Sequence, residues 1–226
     1  VIDPYWANTY VGYLKRQSTF QSDKSFLEGI KAFKDNVAIR SVLSYKCTII
    51  YGRSYIEYEK PLTILATRSI ILLPGTPARP RIADPRIGIF PTGKIKYTNK
   101  DNRAKVVYFS NRWKLEPSDE ATFKAGKLVE PKKPIVFYID NNFPEMWKKY
   151  ISMGIEDWNL AFEKIGFKNA VQTRPFPTDD PEFDPDNIKY SCVRYAPTPM
   201  ANAMGPSWTD PRSGEIINAS VYIYHN

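Results

Sequence analysis

Long apolar runs are missing from this 226-residue sequence. No stretch of 18 apolar residues occurs, so no segment has the length of a membrane-crossing helix. The apolar stretch Ile70-Ile71-Leu72-Leu73 is strand-sized. Glycine is scarce, with 11 residues against 19 prolines. No Gly-rich phosphate loop and no Gly-x-Ser-x-Gly elbow is present, so the sequence offers neither P-loop nor nucleophile-elbow chemistry. There are only two cysteines, Cys47 and Cys192. A zinc site needs three or four close ligands, so two distant thiols do not make one. Two free buried thiols is the plain reading; a disulfide joining the two halves is the alternative, which Cα separation decides. No basic-then-apolar leader opens the chain at Val1, and it begins without Met, which is compatible with a leader already removed.

What is present points to a packed protein. Apolar residues are 42% and charged residues 25%, enough for a sizeable core. Aromatics reach 14%, with 15 Tyr, 12 Phe and 5 Trp. With so many prolines, this composition predicts many short strands and proline-shaped loops. The net charge of +8 is uneven. Residues 1–130 hold 22 Lys/Arg against 12 Asp/Glu, and residues 131–226 hold 10 against 12. A basic half raises the question of nucleic acid. Its cations are scattered (Arg40, Lys46, Arg53, Lys60, Arg68) between apolar strand residues, as on a solvated sheet face, and this argues against a nucleic-acid partner.

The charge change coincides with the polar, proline-bracketed segment Glu130-Pro131-Lys132-Lys133-Pro134, a linker candidate. Two domains follow, residues 1–130 and 131–226. In the first, residues 37–51, 55–58, 62–73, 105–109 and 112–115 read as strands, with Gly52-Arg53 as a hairpin turn. Phe26, Leu27, Ile30 and Phe33 recur at helical spacing, which predicts a short helix over residues 25–33. The proline-rich stretch 73–81 predicts an extended loop. In the second, residues 134–140 predict an apolar strand. Trp147, Tyr150, Ile151, Ile155, Trp158, Phe162 and Ile165 then give one wide apolar face on a helix of about six turns, closed by Gly166. Residues 170–173, 188–195 and 216–224 predict three more strands. In the last, Ile217, Ala219, Val221 and Ile223 alternate with Asn218, Ser220, Tyr222 and Tyr224. A helix joining two such strands suggests parallel neighbours.

The order of several motifs carries a resemblance. Residues 134–140 (PIVFYID), the helix segment GIEDWNLAFEKIGFKNA, then Gly205-Pro206-Ser207, Asp210-Pro211-Arg212-Ser213-Gly214-Glu215-Ile216 and Ala219-Ser220-Val221 resemble the first part of a metzincin catalytic domain. They are most similar to large zinc-dependent metalloproteases of Bacteroidetes-like bacteria. RSIILLPGTPARPRIADPRIGIF (residues 68–90) and NRWKLEP (residues 111–117) resemble the uncharacterised domain preceding the peptidase there. The resemblance implies an α+β fold: a β-rich first domain, then an incomplete metzincin-like α/β subdomain of the order strand-helix-strand-strand-strand. It implies a peptide or protein substrate, zinc in the parent protein, and an extracytoplasmic location.

The zinc chemistry needs H-E-x-x-H on a helix, two histidines one turn apart and a glutamate as base. This sequence has one histidine, His225, and no such motif. The expectation is therefore a fragment without catalytic or metal residues, inactive alone, with an exposed face through which two copies could dimerise. His225 reads as a solvent-facing residue near the chain end. The last predicted strand is the candidate edge that holds an extended substrate, through Asn218, Ala219, Ser220, Val221 and Tyr222. The acidic run Asp179, Asp180, Glu182, Asp184 and Asp186 lacks EF-hand spacing and reads as a solvated loop. Glu156 and Asp157 point about 100° apart on a helix and do not form an acid/base pair. Asp210 and Arg212, flanking Pro211, predict a salt bridge or turn hydrogen bond. The rival expectation is a protein- or glycan-binding module without catalysis.

Overall fold

The structure is a computed structural model that describes residues 9–11, 14–100, 102–199 and 202–225. It is β-rich with three short helices, an α+β architecture in outline. The chain divides into two compact units, Val1–Ile71 and Leu72–Asn226. This division falls well ahead of the charge change at residue 130. Residues around that change are tied to later ones in the second unit, through bridges Pro117 to Pro131 and Val129 to Phe167.

The first unit is one antiparallel sheet in the order β1 (Thr9–Val11), β2 (Leu14–Ala32), β3 (Asn36–Tyr51), β4 (Ser54–Ile71). Gly52 takes φ +61° in the tight β3–β4 turn, a conformation that favours glycine. One face is apolar: Tyr45 sits between Phe20 and Leu62, and Leu43 lies opposite Ile64. The other carries polar contacts, such as Asn36 Nδ2 to Ser69 Oγ at 2.9 Å.

The helix expected over residues 25–33 is a correction: this segment belongs to β2. A register shift between Leu27 and Gly29 explains the misreading. Leu27 pairs with Ser41 and Ile30 with Ile39, residues two apart on β3 and so on one face. The extra residue of the bulge turns a spacing of two into three, which imitates a helix. The strands expected at 55–58 and 62–73 are likewise the single strand β4.

The second unit opens with an extended proline-rich run. β5 (Pro91–Lys96) and β6 (Lys105–Ser110) then form a two-stranded ribbon. The strand expected at 112–115 is reduced to one bridge, Arg112 to Glu215. A short helix α1 (Glu120–Lys124) is capped by Asp119, whose carboxylate accepts from Thr122 N.

The main sheet follows. Its strands are β7 (Ile135–Ile139), β8 (Val171–Pro175), β9 (Ser191–Pro197), β10 (Ala203–Met204), β11 (Ser207–Asp210) and β12 (Glu215–His225). The order is β8-β7-β9-β12, with β10 and β11 both pairing with β12 on its far side. β8, β7, β9 and β12 run parallel to their neighbours, and β10 and β11 run antiparallel to β12.

Between β7 and β8 lie α2 (Glu145–Glu156) and α3 (Asn159–Glu163). The expected six-turn helix is thus two helices, joined at Asp157 and Trp158 by tightened i to i+3 bonds such as Ala161 N to Trp158 O, 3.0 Å. Its apolar stripe is also narrower than expected. Trp147, Ile151 and Ile155 pack on the core of Ile139, Phe143 and Val193, with Val221 and Ile223. Tyr150, Trp158 and Ile165 stay exposed. Gly166 takes φ +96°, and a Cβ there would lie 2.6 Å from the Phe123 ring. Phe167, just beyond, is buried with Val129 and Ala170.

Candidate functional site

The five residues expected to hold a substrate lie together on β12, but β12 is not an edge. Ser220, Val221 and Tyr222 pair with Cys192, Val193 and Arg194 of β9 on one side. On the other, Asn218 and Ala219 pair with Trp208 and Ser207, Tyr222 pairs with Met204, and Ser220 N donates to Pro206 O at 2.9 Å. Main-chain groups of residues 218–222 are committed within the sheet, so the edge assignment is corrected. Their side chains serve packing too. Asn218 Nδ2 donates to Ile188 O and Tyr190 O at 2.9 and 2.8 Å. Val221 is in the core under α2. Tyr222 lies beneath the Arg194 guanidinium, 5.4 Å from its ring centre.

The edge beyond β12 is β10 and β11. Among the described residues, no strand pairs with their outer side. Ala203, Met204 and Ser207 are exposed, and Trp208 is half-buried. This edge is held by a turn at Asp210 to Gly214. Asp210 is fully buried, and its carboxylate accepts from Arg212 N at 2.8 Å and from Arg212 Nε and Nη2 at 3.0 and 2.7 Å. Arg212 holds that carboxyl below the usual carboxylate range, against the opposing effect of burial. Gly214 takes φ +76°, and a Cβ there would lie 2.7 Å from Ser110 O. The expected Asp210–Arg212 ion pair is present.

The opposite edge, β8, is closed by side chains of the helices. Asn159 Oδ1 accepts from Val171 N at 2.9 Å, while its Nδ2 donates to Val171 O at 2.8 Å. Glu156 Oε1 accepts from Thr173 N at 2.9 Å and from Thr173 Oγ1 at 2.5 Å. Glu156 is therefore a strand cap, and its lack of pairing with Asp157 agrees with their helix positions.

The acidic loop is ordered by its own residues. Asp180 and Asp184 accept from the main-chain N–H two residues on, and Tyr190 Oη donates to Asp180 at 2.6 Å. That bond holds the Asp180 carboxyl low. Phe176, Phe183, Tyr138 and Tyr190 form one aromatic cluster beside it. His225 is exposed but partnered: its Nδ1 is 2.6 Å from Tyr195 Oη, and its ring stacks near Trp147 at 4.7 Å. Cys47 and Cys192 do not form a disulfide. Burial pushes the Cys192 thiol up to about 12, which leaves it protonated and unreactive.

Among the described residues, no group of three or more His, Cys, Asp and Glu is arranged to hold a metal ion. Among the described residues, no helix is long and apolar enough to cross a membrane.

The β10–β11 edge escaped sequence reasoning because MGPSWTD has no period-two alternation and carries Pro206. A weak signal was available: Asp210-Pro211-Arg212-Ser213-Gly214 is turn chemistry, and a turn before a strong strand implies a hairpin partner.

Residues 7–118 match a family described as Domain of unknown function (DUF5117). The match runs from the first unit into the second, past β6, and covers just under half of the chain. No curated protein and no solved structure matches this chain.

Proposed function

We propose that this chain is part of a zinc-dependent metalloendopeptidase of the metzincin type, to which it supplies the sheet and the substrate-side edge. One observation carries the reading: a mostly parallel sheet ends in an open antiparallel edge, β10–β11, while its other edge is capped by side chains. An open edge binds an extended peptide through main-chain hydrogen bonds, the mode a peptidase needs to hold its substrate straight. The motif order of residues 135–223 supports the same reading. The assignment of substrate contact moves from Asn218–Tyr222 to Ala203, Met204 and Ser207–Thr209, because no strand among the described residues pairs with their outer side.

On this reading the zinc and its glutamate base belong to residues outside this sequence, the protein acts outside the cytoplasm, and the chain alone cleaves nothing. Zinc analysis and a casein-cleavage assay on the 226-residue chain and on the full polypeptide of its gene test this. The expected result is no activity for the chain, and one tightly held zinc with cleavage for the full polypeptide. A full polypeptide without zinc and without cleavage overturns the reading.

A second reading, a protein- or glycan-binding module, is favoured by the β3–β4 hairpin. Tyr51, Tyr55 and Tyr58 are exposed there, and Tyr55 and Tyr58 stack edge-on at 5.2 Å. Glycan-array binding lost on Tyr55→Ala with Tyr58→Ala supports this module; no binding by the intact chain excludes its glycan form.

A further inference from the structure

A cavity of about 710 Å³ opens in the second unit, where β7, β9 and β12 begin. Its volume is that of a small-molecule site. Three rings line it: Trp113, Tyr138 and Tyr190. Tyr190 is nearly fully buried and fixed by its bond to Asp180, and Trp113 is braced edge-on against Phe137 at 6.3 Å.

The wall is preformed rather than loose. Lys132 N donates to Glu116 O at 2.8 Å and Ser118 N to Glu130 O at 2.9 Å, which pins the segment bearing Trp113 to the segment bearing Lys132 and Lys133. Arg112 N donates to Gly214 O at 3.0 Å, and Ile216 N donates to Arg112 O at 2.8 Å, which fastens the same wall to β12.

The charge of the lining is unbalanced. Lys114 is paired with Glu116 at 3.3 Å, and Lys189 with Glu182 at 2.8 Å. Glu215 also lines the cavity, but its carboxylate accepts from Ala78 N. Lys132, Lys133 and Arg174 remain, and among the described residues none has a carboxylate within ion-pair distance. Glu120 feels Lys132 only as a more distant charge. Set against the one Glu215 carboxylate, these three cations leave the lining net positive, and beside aromatic walls they select for negative charge on a planar apolar body.

We propose that this cavity binds a small organic anion carrying two or more carboxylate or phosphate groups on a flat apolar body. The site is independent of the peptidase reading and shares no cation with the β10–β11 edge. Lys132, Lys133 and Arg174 would meet the anionic groups, while Trp113, Tyr138 and Tyr190 pack against the ring.

Calorimetry on the 226-residue chain tests it with three probes: trimesate (a benzenetricarboxylate), its uncharged triamide, and inorganic phosphate. Trimesate is expected to bind saturably, with weaker binding as salt rises. Both the triamide and phosphate should bind at least about tenfold more weakly, a difference of about 1.4 kcal/mol each. The exposed pair Lys132→Glu with Lys133→Glu should remove trimesate binding, while Lys127→Glu with Lys168→Glu, equal in charge change but outside the cavity lining, should preserve most of it. Circular dichroism checks that both variants fold. Overturning results are no saturable trimesate binding, equal binding of triamide or phosphate, or equal loss in the two charge-reversed variants.

Discussion

The two edges of the main sheet solve one problem in opposite ways. Every sheet edge exposes unpaired N–H and C=O groups that invite another strand. At β8 the helices supply the missing partners, with Asn159 bonding both main-chain groups of Val171 and Glu156 taking Thr173 N. At β10–β11 no strand pairs with the outer side among the described residues, and Asn202 Oδ1 accepts from Ala203 N at 2.8 Å. The difference teaches that side chains close the first edge, whereas the second, among the described residues, has no strand on its outer side.

The sharpest way to break this comparison is to dismantle the hairpin that presents the open edge. Asp210→Ala removes a buried carboxylate and leaves Arg212 without its bidentate partner. The expected cost is about 3 kcal/mol, read as a lower urea midpoint with an unchanged slope. Gly214→Ala places a Cβ against Ser110 O in a left-handed conformation, and should cost roughly 2 kcal/mol in the same experiment. Asn159→Ala at the opposite edge strands the N–H and C=O of Val171, at about 1–2 kcal/mol. Combined with Glu156→Ala it opens β8, and analytical ultracentrifugation should then show more self-association than the unmodified chain does.

Acid should act through the same hairpin. The folded Asp210 carboxyl titrates below its unfolded value of about 3.9 because Arg212 favours its charged form. Its stabilisation is therefore whole above about pH 4 and is lost as pH falls through the lower folded pKa. The Asp210→Asn variant should flatten that acid limb of a stability-against-pH curve. The smallest effect concerns the cysteines. Cys192, with its thiol raised to about 12, should resist iodoacetamide at pH 8 in the folded chain, while the half-buried Cys47 reacts first; mass spectrometry of labelled peptides reads the order.

Much of the sheet was legible in the sequence. Residues 134–140 and 216–224 read as strands because they are dense in Ile, Val and Tyr, and β7 and β12 occupy almost those bounds. Gly166 was legible as a helix terminator because glycine, without a Cβ, takes the left-handed turn that it shows here, φ +96°. The turn of Asp210 and Arg212 was legible from its residues alone. Other features depend on partners far away in the chain. Phe26, Leu27 and Ile30 imitate a helix because a bulge, invisible without β3, shifts their phase. The identity of the open edge depends on strand order, which no local pattern encodes. β12 is the strongest apolar strand, yet strength of pattern marks a strand paired on both sides as readily as an edge. The short β10 and β11 owe their pairing to the turn that folds them back on β12.

Amide hydrogen exchange followed by NMR, residue by residue, tests the edge asymmetry most directly. Val171 N–H and Thr173 N–H should exchange slowly, held by Asn159 and Glu156. Alternate amides across Ser207–Asp210, those facing away from β12, should exchange close to the rate of an unprotected chain. Uniform slow exchange across Ser207–Asp210, or rapid exchange at Val171 and Thr173, would contradict an open edge at β10–β11 and a closed one at β8.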